Sequence, residues 1–269
     1  MMAFKKEIPN LFTAGNLIGG ILAIIFSLTG KIDLAPYCIF ISAFCDFLDG
    51  FIARLLKVQS ELGKQLDSLA DMVTFGVAPG IMVYVMMDHP ALITSLNSDF
   101  SPRSLELSSE LELLKYAAFL LPVFALFRLA KFNLDTRQSD SFIGVPTPAM
   151  TLFFAVFPLI IIQSYDGMNM ANVSESSFRF QCVQLISNPY FLAISSLIFS
   201  LLMVSEIPLF ALKFKKFGWK GNEIRWIFLT LAVVMLATLF FWAIPLIIIL
   251  YVILSLINTQ FTKHKKNEI

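Results

Sequence analysis

The sequence predicts an all-α, polytopic membrane bundle of about eight transmembrane helices. Three observations predict it. Hydrophobic residues make up 57% of the 269 positions, and mean hydropathy is +0.77. Charged residues reach only 14%, against about 25% in a soluble domain. The apolar residues gather in long runs separated by polar stretches, as a bilayer core about 30 Å thick demands.

The runs, in order, are Leu11–Leu28, Leu34–Leu56, Leu66–Met87, Leu113–Leu129, Ala149–Ile162, Tyr190–Leu209, Ile224–Phe240 and Trp242–Ile257. The N-terminus, MMAFKKEIPNLF, lacks a small-residue cleavage site after its first apolar run, so that run reads as a retained span rather than a signal peptide. The last two form one 34-residue stretch, Ile224 to Ile257, long for one helix and short for two. Charge arbitrates. With the N-terminus in the cytoplasm and a hairpin near Trp242–Pro245, only Lys31, Arg103, Lys115 and Arg179 of the 20 basic residues fall outside. Both termini are then cytoplasmic. The long polar segments Asp88–Glu112 and Asp166–Asn188 read as external loops. Residues 1–269 read as a single integral-membrane domain, and the Phe and Met abundance reads as lipid-facing bulk.

Composition also excludes several classes. The chain is too apolar to be disordered, and a net charge of +1 without a broad basic face argues against nucleic-acid binding. Cys38, Cys45 and Cys182 are odd in number and lack metal-ligand spacing, so they read as free thiols. His89 and His264 lie outside the acidic stretch, one in an external segment and one in the C-terminal tail, and read as surface residues. Lys213, Lys215, Lys216 and Lys220 with Trp219 read as a basic segment meeting anionic headgroups.

The chemistry lies between Cys45 and Gly80. Asp46, Asp49, Asp67 and Asp71 sit inside apolar helical segments, where a carboxylate costs a few kcal/mol unless it faces a polar cavity or a cation. At 100° per residue, Asp46, Asp49, Gly50, Ala53 and Arg54 share one helix face; Gly63, Asp67 and Asp71 share a face of the next. A turn near Lys57–Leu62 makes these helices antiparallel, so four carboxylates form a cup toward the cytoplasmic surface. Such a cup needs cations. All-oxygen ligation suits Mg²⁺ or Mn²⁺, and two such ions suit chemistry on a pyrophosphate. Gly50, Ala53 and Gly63 are small enough for close approach of a nucleotide, and Arg54 offers a charged grip on phosphate.

The pattern Asp46-x2-Asp49-Gly50-x2-Ala53-Arg54-x8-Gly63-x3-Asp67-x3-Asp71 resembles the signature of the CDP-alcohol phosphatidyltransferase family at every specified position. Further runs resemble its phosphatidylserine synthase branch: IPNLFTAGN at Ile8–Asn16, GKQLDSLADMVTFGVAP at Gly63–Pro79, FRLAKFN at Phe127–Asn133 and FIGVPTPA at Phe142–Ala149. Branch members usually read SFGVAP and GLPIPA where this chain has TFGVAP and GVPTPA. The resemblance implies CDP-diacylglycerol as donor, L-serine as acceptor, two divalent metal ions, and a homodimer in the inner membrane with a cytoplasmic active site. It implies metal ligation by Asp46, Asp49 and Asp67, a role for Asp71 shared between metal and general base, and nucleotide contact by Asp46, Gly50, Ala53, Arg54 and Gly63.

Other positions stay open at this level. Arg128 and Lys131 are either acceptor or lipid-phosphate binders, or positive-inside anchors. Thr74, Phe75 and Gly76 either shape the acceptor pocket or pack at a kink. Asn10, Thr13 and Asn16 either reach the nucleotide or bond between helices. Gly144, Pro146 and Pro148 either close the site as a rigid loop or form a plain turn. Two functional alternatives stand beside serine transfer. One keeps the reaction with glycerol-3-phosphate or an inositol compound as acceptor; the other is a cation-coupled transporter using the aspartates as an ion path.

Overall fold

The computed structural model describes residues 2–88, 109–134, 141–166, 178–210, 218–219 and 222–267. His89, most of both long polar loops and the Lys213–Lys220 lysines lie outside them.

Helix α1 (Met2–Leu28) runs away from the acidic end of the bundle, and α2 (Ala35–Leu55) returns to it. Small residues let these two approach closely. A Cβ on Gly15 would meet Cys45 Sγ at 3.4 Å, and one on Gly19 would fall 2.1 Å from Ser42 Oγ. The chain then reverses through Lys57, whose φ is 55°, and Ser60 caps α3 (Glu61–Asp71) by accepting from Gly63 N at 3.0 Å. A π-helical turn, Met72–Val77, joins α3 to α4 (Ala78–Asp88). Helix α5 (Ser109–Leu114), a 3₁₀ turn (Lys115–Phe119) and α6 (Leu120–Leu134) come back. Lys115 pairs with Asp88, fixing the far end of this return.

After strand β1 (Ser141–Ile143), α7 (Thr147–Ala155) and α8 (Phe157–Asp166) travel outward again. Helices α9 (Phe178–Ile186) and α10 (Pro189–Val204) return, bent by 65° at their junction. Strand β2 (Pro208–Phe210) then pairs antiparallel with β1, Phe142 opposite Leu209. This three-residue ribbon is the one departure from all-α structure among the described residues. Helices α11 (Glu223–Leu239) and α12 (Ala243–Asn267) complete the chain.

Among the described residues, five stretches are long and apolar enough to cross a membrane, or six with the bent α9–α10 pair. The fifth is Glu223–Thr259, and it is a hairpin. Phe228 and Tyr251 meet at 5.6 Å between ring centroids, whereas 23 residues along one straight helix would separate them by about 34 Å. The break is the 3₁₀ turn Phe240–Trp242, with φ 50° at Phe240. With α2, 21 residues long, the chain passes along the bundle eight times, one pass for each apolar run.

The core corrects one expectation. Phe75, Phe154, Phe157, Met82, Met86, Met87 and Met150 are fully buried, so many of these large side chains are core and not lipid-facing bulk. Phe153, Phe154 and Phe157 interlock with Phe199 of α10 at 4.4–5.8 Å. Others do face outward, among them Phe44, Phe47, Phe51 and Phe127.

Candidate active site

Helices α2 and α3 bring their acidic faces together as their spacing predicts. Carboxylate oxygens of Asp46, Asp49 and Asp67 all lie within 4.8 Å of one another. Asp71, one turn beyond Asp67, lies within hydrogen-bonding distance of Asp46. Like charges this close, half out of water, repel strongly without a counter-charge. Asp67 Oδ1 is buried and has no hydrogen-bond partner. Three converging carboxylates with an unsatisfied oxygen are a donor set that fits a hard divalent cation.

Helix α1 supports this group. Thr13 Oγ1 donates to Asp49 Oδ2 at 2.6 Å, and Asn16 Nδ2 donates to Asp71 Oδ1 at 2.9 Å. Both side chains are buried, so the structure assigns them to interhelical bonds that orient the carboxylates. Asn16 is itself fixed through its backbone: its carbonyl accepts from Ser42 Oγ at 3.1 Å and Thr74 Oγ1 at 3.0 Å.

A cavity of about 410 Å³ opens beside the group, a size suited to a small organic ligand. Asp49, Gly50, Ala53, Arg54, Gly63 and Asp67 line it, together with Asn10 and Thr13 of α1. The signature residues named for the nucleotide thus share one wall, apart from Asp46, which sits with Asp67 and Asp71. Arg54 is exposed at the rim, and its Nε–H donates to Gly50 O at 2.9 Å. Phe132 also lines the cavity, a contact that sequence reasoning missed although it lies within FRLAKFN. Asn133 Nδ2 donates to Ser68 Oγ at 2.8 Å, tying this end of α6 to α3.

The remaining candidates separate. Arg128 is buried, lies over the Phe132 ring at 5.4 Å and sits within coulombic reach of Asp71. Its Nε–H donates to Val145 O at 3.0 Å. Lys131 is exposed on the same helix, and neither it nor Arg128 is among the described residues that line the cavity. Thr74 is fully buried with its hydroxyl turned to Asn16 O, a position that braces α1. Gly76 packs against Ala125 and Met72. His264 lies in α12, far along the chain from the cup.

Residues 6–178, more than half of the chain, match the sequence profile of the CDP-alcohol phosphatidyltransferase family. The chain is similar to the CDP-diacylglycerol–serine O-phosphatidyltransferase of Bacillus subtilis, 36% identical over 176 residues, which cover 64% of this chain and 89% of that protein. It is 33% identical over 154 residues to the Helicobacter pylori protein of the same name, covering 56% of this chain and 57% of that one. An archaetidylserine synthase of Methanothermobacter thermautotrophicus is 28% identical over 167 residues, covering 59% and 63%.

Proposed function

The chain belongs to the CDP-alcohol phosphatidyltransferase family, and from that membership we propose that it transfers the phosphatidyl group of CDP-diacylglycerol to the hydroxyl of L-serine, giving phosphatidylserine and CMP. The observation that carries this reading is the Asp46, Asp49 and Asp67 cluster, with Asp71 beside it and a buried arginine within coulombic reach of Asp71. The names of the similar proteins support serine as the acceptor.

Bound at Asp46, Asp49 and Asp67, with Asp71 shared, divalent cations such as Mg²⁺ or Mn²⁺ would neutralise charge on the pyrophosphate and on departing CMP. The chain's own residues do the rest. The cavity wall of Gly50, Ala53 and Gly63 receives the nucleotide, and Arg54 meets its phosphate at the rim. Asn16 holds one oxygen of Asp71, so that carboxylate is aimed when the serine hydroxyl arrives. A serine hydroxyl is a weak nucleophile at neutral pH, and Asp71 takes its proton as the oxygen attacks the lipid-bearing phosphorus. The phosphorus–oxygen bond to CMP breaks, and CMP leaves with the electron pair. Arg128 grips the serine carboxylate. Direct displacement needs no covalent enzyme intermediate.

This reading places the enzyme in the inner membrane as a homodimer, with the cup facing the cytoplasm. Arg54, Lys57 and Lys64 flank the cup, as the positive-inside rule requires of a cytoplasmic face. Glycerol-3-phosphate or an inositol phosphate would bring a second phosphate, and the cation near Asp71 is one guanidinium. The transporter reading gives way to family membership. Among the described residues, the far-end cavity, about 400 Å³ and lined by Gln163, Arg179 and Trp242 among others, has no carboxylate.

The test is a membrane-fraction assay with CDP-diacylglycerol and a panel of radiolabelled acceptors. Serine-dependent CMP release is expected, lost with chelator and lowered at least about a thousandfold by Asp71→Asn. Label incorporated from glycerol-3-phosphate or inositol phosphate, with none from serine, overturns the acceptor.

A further inference from the structure

The turn after β1 is bonded on both sides. Gly144 N–H donates to Ile207 O at 3.0 Å, and Val145 N–H donates to Leu202 O at 3.1 Å. Leu202 lies in the last turn of α10, where helix carbonyls lack intrahelical donors. The carbonyl of Val145 in turn accepts from Arg128 Nε at 3.0 Å. A continuous path therefore runs from the end of α10, through one peptide turn, to the buried guanidinium of Arg128, which lies within coulombic reach of Asp71.

Gly144 is required by the geometry of this turn. Its φ is +73°, and a Cβ there would fall 2.4 Å from Met203 O and 3.1 Å from Leu202 O. Both atoms are backbone, so a side chain could be accommodated only by moving the turn. The clamp on the turn comes from residues 202–207, beyond the family-matched segment 6–178. On the other side of Arg128, the Phe132 ring limits where the guanidinium can lie. With Nε committed to Val145 O, neither Nη group has a protein acceptor among the described residues.

We infer that the Gly144–Val145 turn, clamped to the end of α10, is a positioning element that aims the Nη groups of Arg128 at the carboxylate of the acceptor. The inference rests on the assignment of Arg128 as the acceptor's cation. A planar guanidinium pairs with a carboxylate through two parallel hydrogen bonds, and that pairing is lost when the plane turns. The turn thus governs acceptor affinity and leaves the donor's site untouched.

The test uses the full chain in proteoliposomes containing CDP-diacylglycerol, with KM measured separately for L-serine and for the donor. Gly144→Ala is expected to raise the serine KM about tenfold, with the donor KM within about twofold. Pro146→Gly loosens the same turn without a steric clash and covers the case in which Gly144→Ala does not fold. It is expected to act in the same direction, more weakly. Arg128→Ala should raise the serine KM at least as much, and Gly144→Ala added to it should change nothing further, because the turn acts through that side chain. If Arg128→Ala leaves the serine KM unchanged, the assignment of Arg128 itself is wrong. If Arg128→Ala raises it but both turn variants leave it unchanged, shift the two KM values equally, or add fully to Arg128→Ala, the positioning role alone is overturned.

Discussion

Asp49 illustrates how much of this site depends on the partners that hold its carboxylates. Its carboxylate is buried, and the Thr13 hydroxyl at 2.6 Å is a short bond to a charged acceptor. Partners of metal-ligating side chains typically matter by about 10–100-fold in metal affinity. Thr13→Val keeps the shape and removes the donor. We expect the divalent-ion concentration for half-maximal activity to rise about tenfold, and direct calorimetric titration of the purified protein with Mn²⁺ to weaken in parallel. Unchanged Mn²⁺ affinity would separate Asp49 from the ion. The aspartates were legible from spacing, because helical periodicity alone puts Asp67 one turn from both Gly63 and Asp71. The roles of Thr13 and Asn16 were not, because an uncharged polar side chain in an apolar span serves a ligand or a neighbouring helix equally well. Arg128 stood undecided for a similar reason: its burial depends on the turn at Val145, which lies 17 residues away.

At the scale of elements, the π-helical turn Met72–Val77 is the feature that periodicity could not reveal. It inserts a wider turn where an uninterrupted apolar run predicts plain α-helix. Phe75 O accepts from Thr151 Oγ1 of α7 at 2.7 Å, which binds this turn to a neighbouring helix. Helix α1 packs on the same turn, and the fit depends on Gly20. A Cβ there would meet Thr74 Oγ1 at 2.3 Å and Thr74 Cα at 2.8 Å. A rotamer change relieves the first contact but not the second, so α1 must shift. Gly20→Ala is expected to destabilise the protein by about 2 kcal/mol, within the usual range for overpacking, read as a lowered Tm in detergent. Because α1 also carries Asn16, activity should fall at temperatures below the new Tm. A variant with unaltered Tm would show that this contact yields freely.

The whole molecule has two distinct ends, and hydrogen bonds far apart in sequence assign each element to one of them. The cup end holds Asp49, Asp67, Arg128 and the β1–β2 ribbon, because Val145 O binds Arg128 and Gly144 binds Ile207 beside β2. Tyr251 OH donates to Phe210 O at 2.9 Å and Thr259 Oγ1 to Pro208 O at 3.2 Å. Helix α12 therefore returns to the ribbon, and the Phe240–Trp242 tip points to the other end, with the α1–α2 link and the Lys115–Asp88 pair. Charge counting had favoured this hairpin, while apolar length alone left Glu223–Thr259 compatible with a single stretch. The consequence is a definite sidedness. In a cysteine-free background, Gln59→Cys beside the cup and Asn267→Cys in α12 should react with a membrane-impermeant maleimide in inverted vesicles and stay protected in spheroplasts. Lys31→Cys, in the α1–α2 link, should show the opposite pattern. Labelling of positions 59 and 267 from opposite faces would mean that α11 and α12 cross as one helix, which the Phe228–Tyr251 contact at 5.6 Å does not allow.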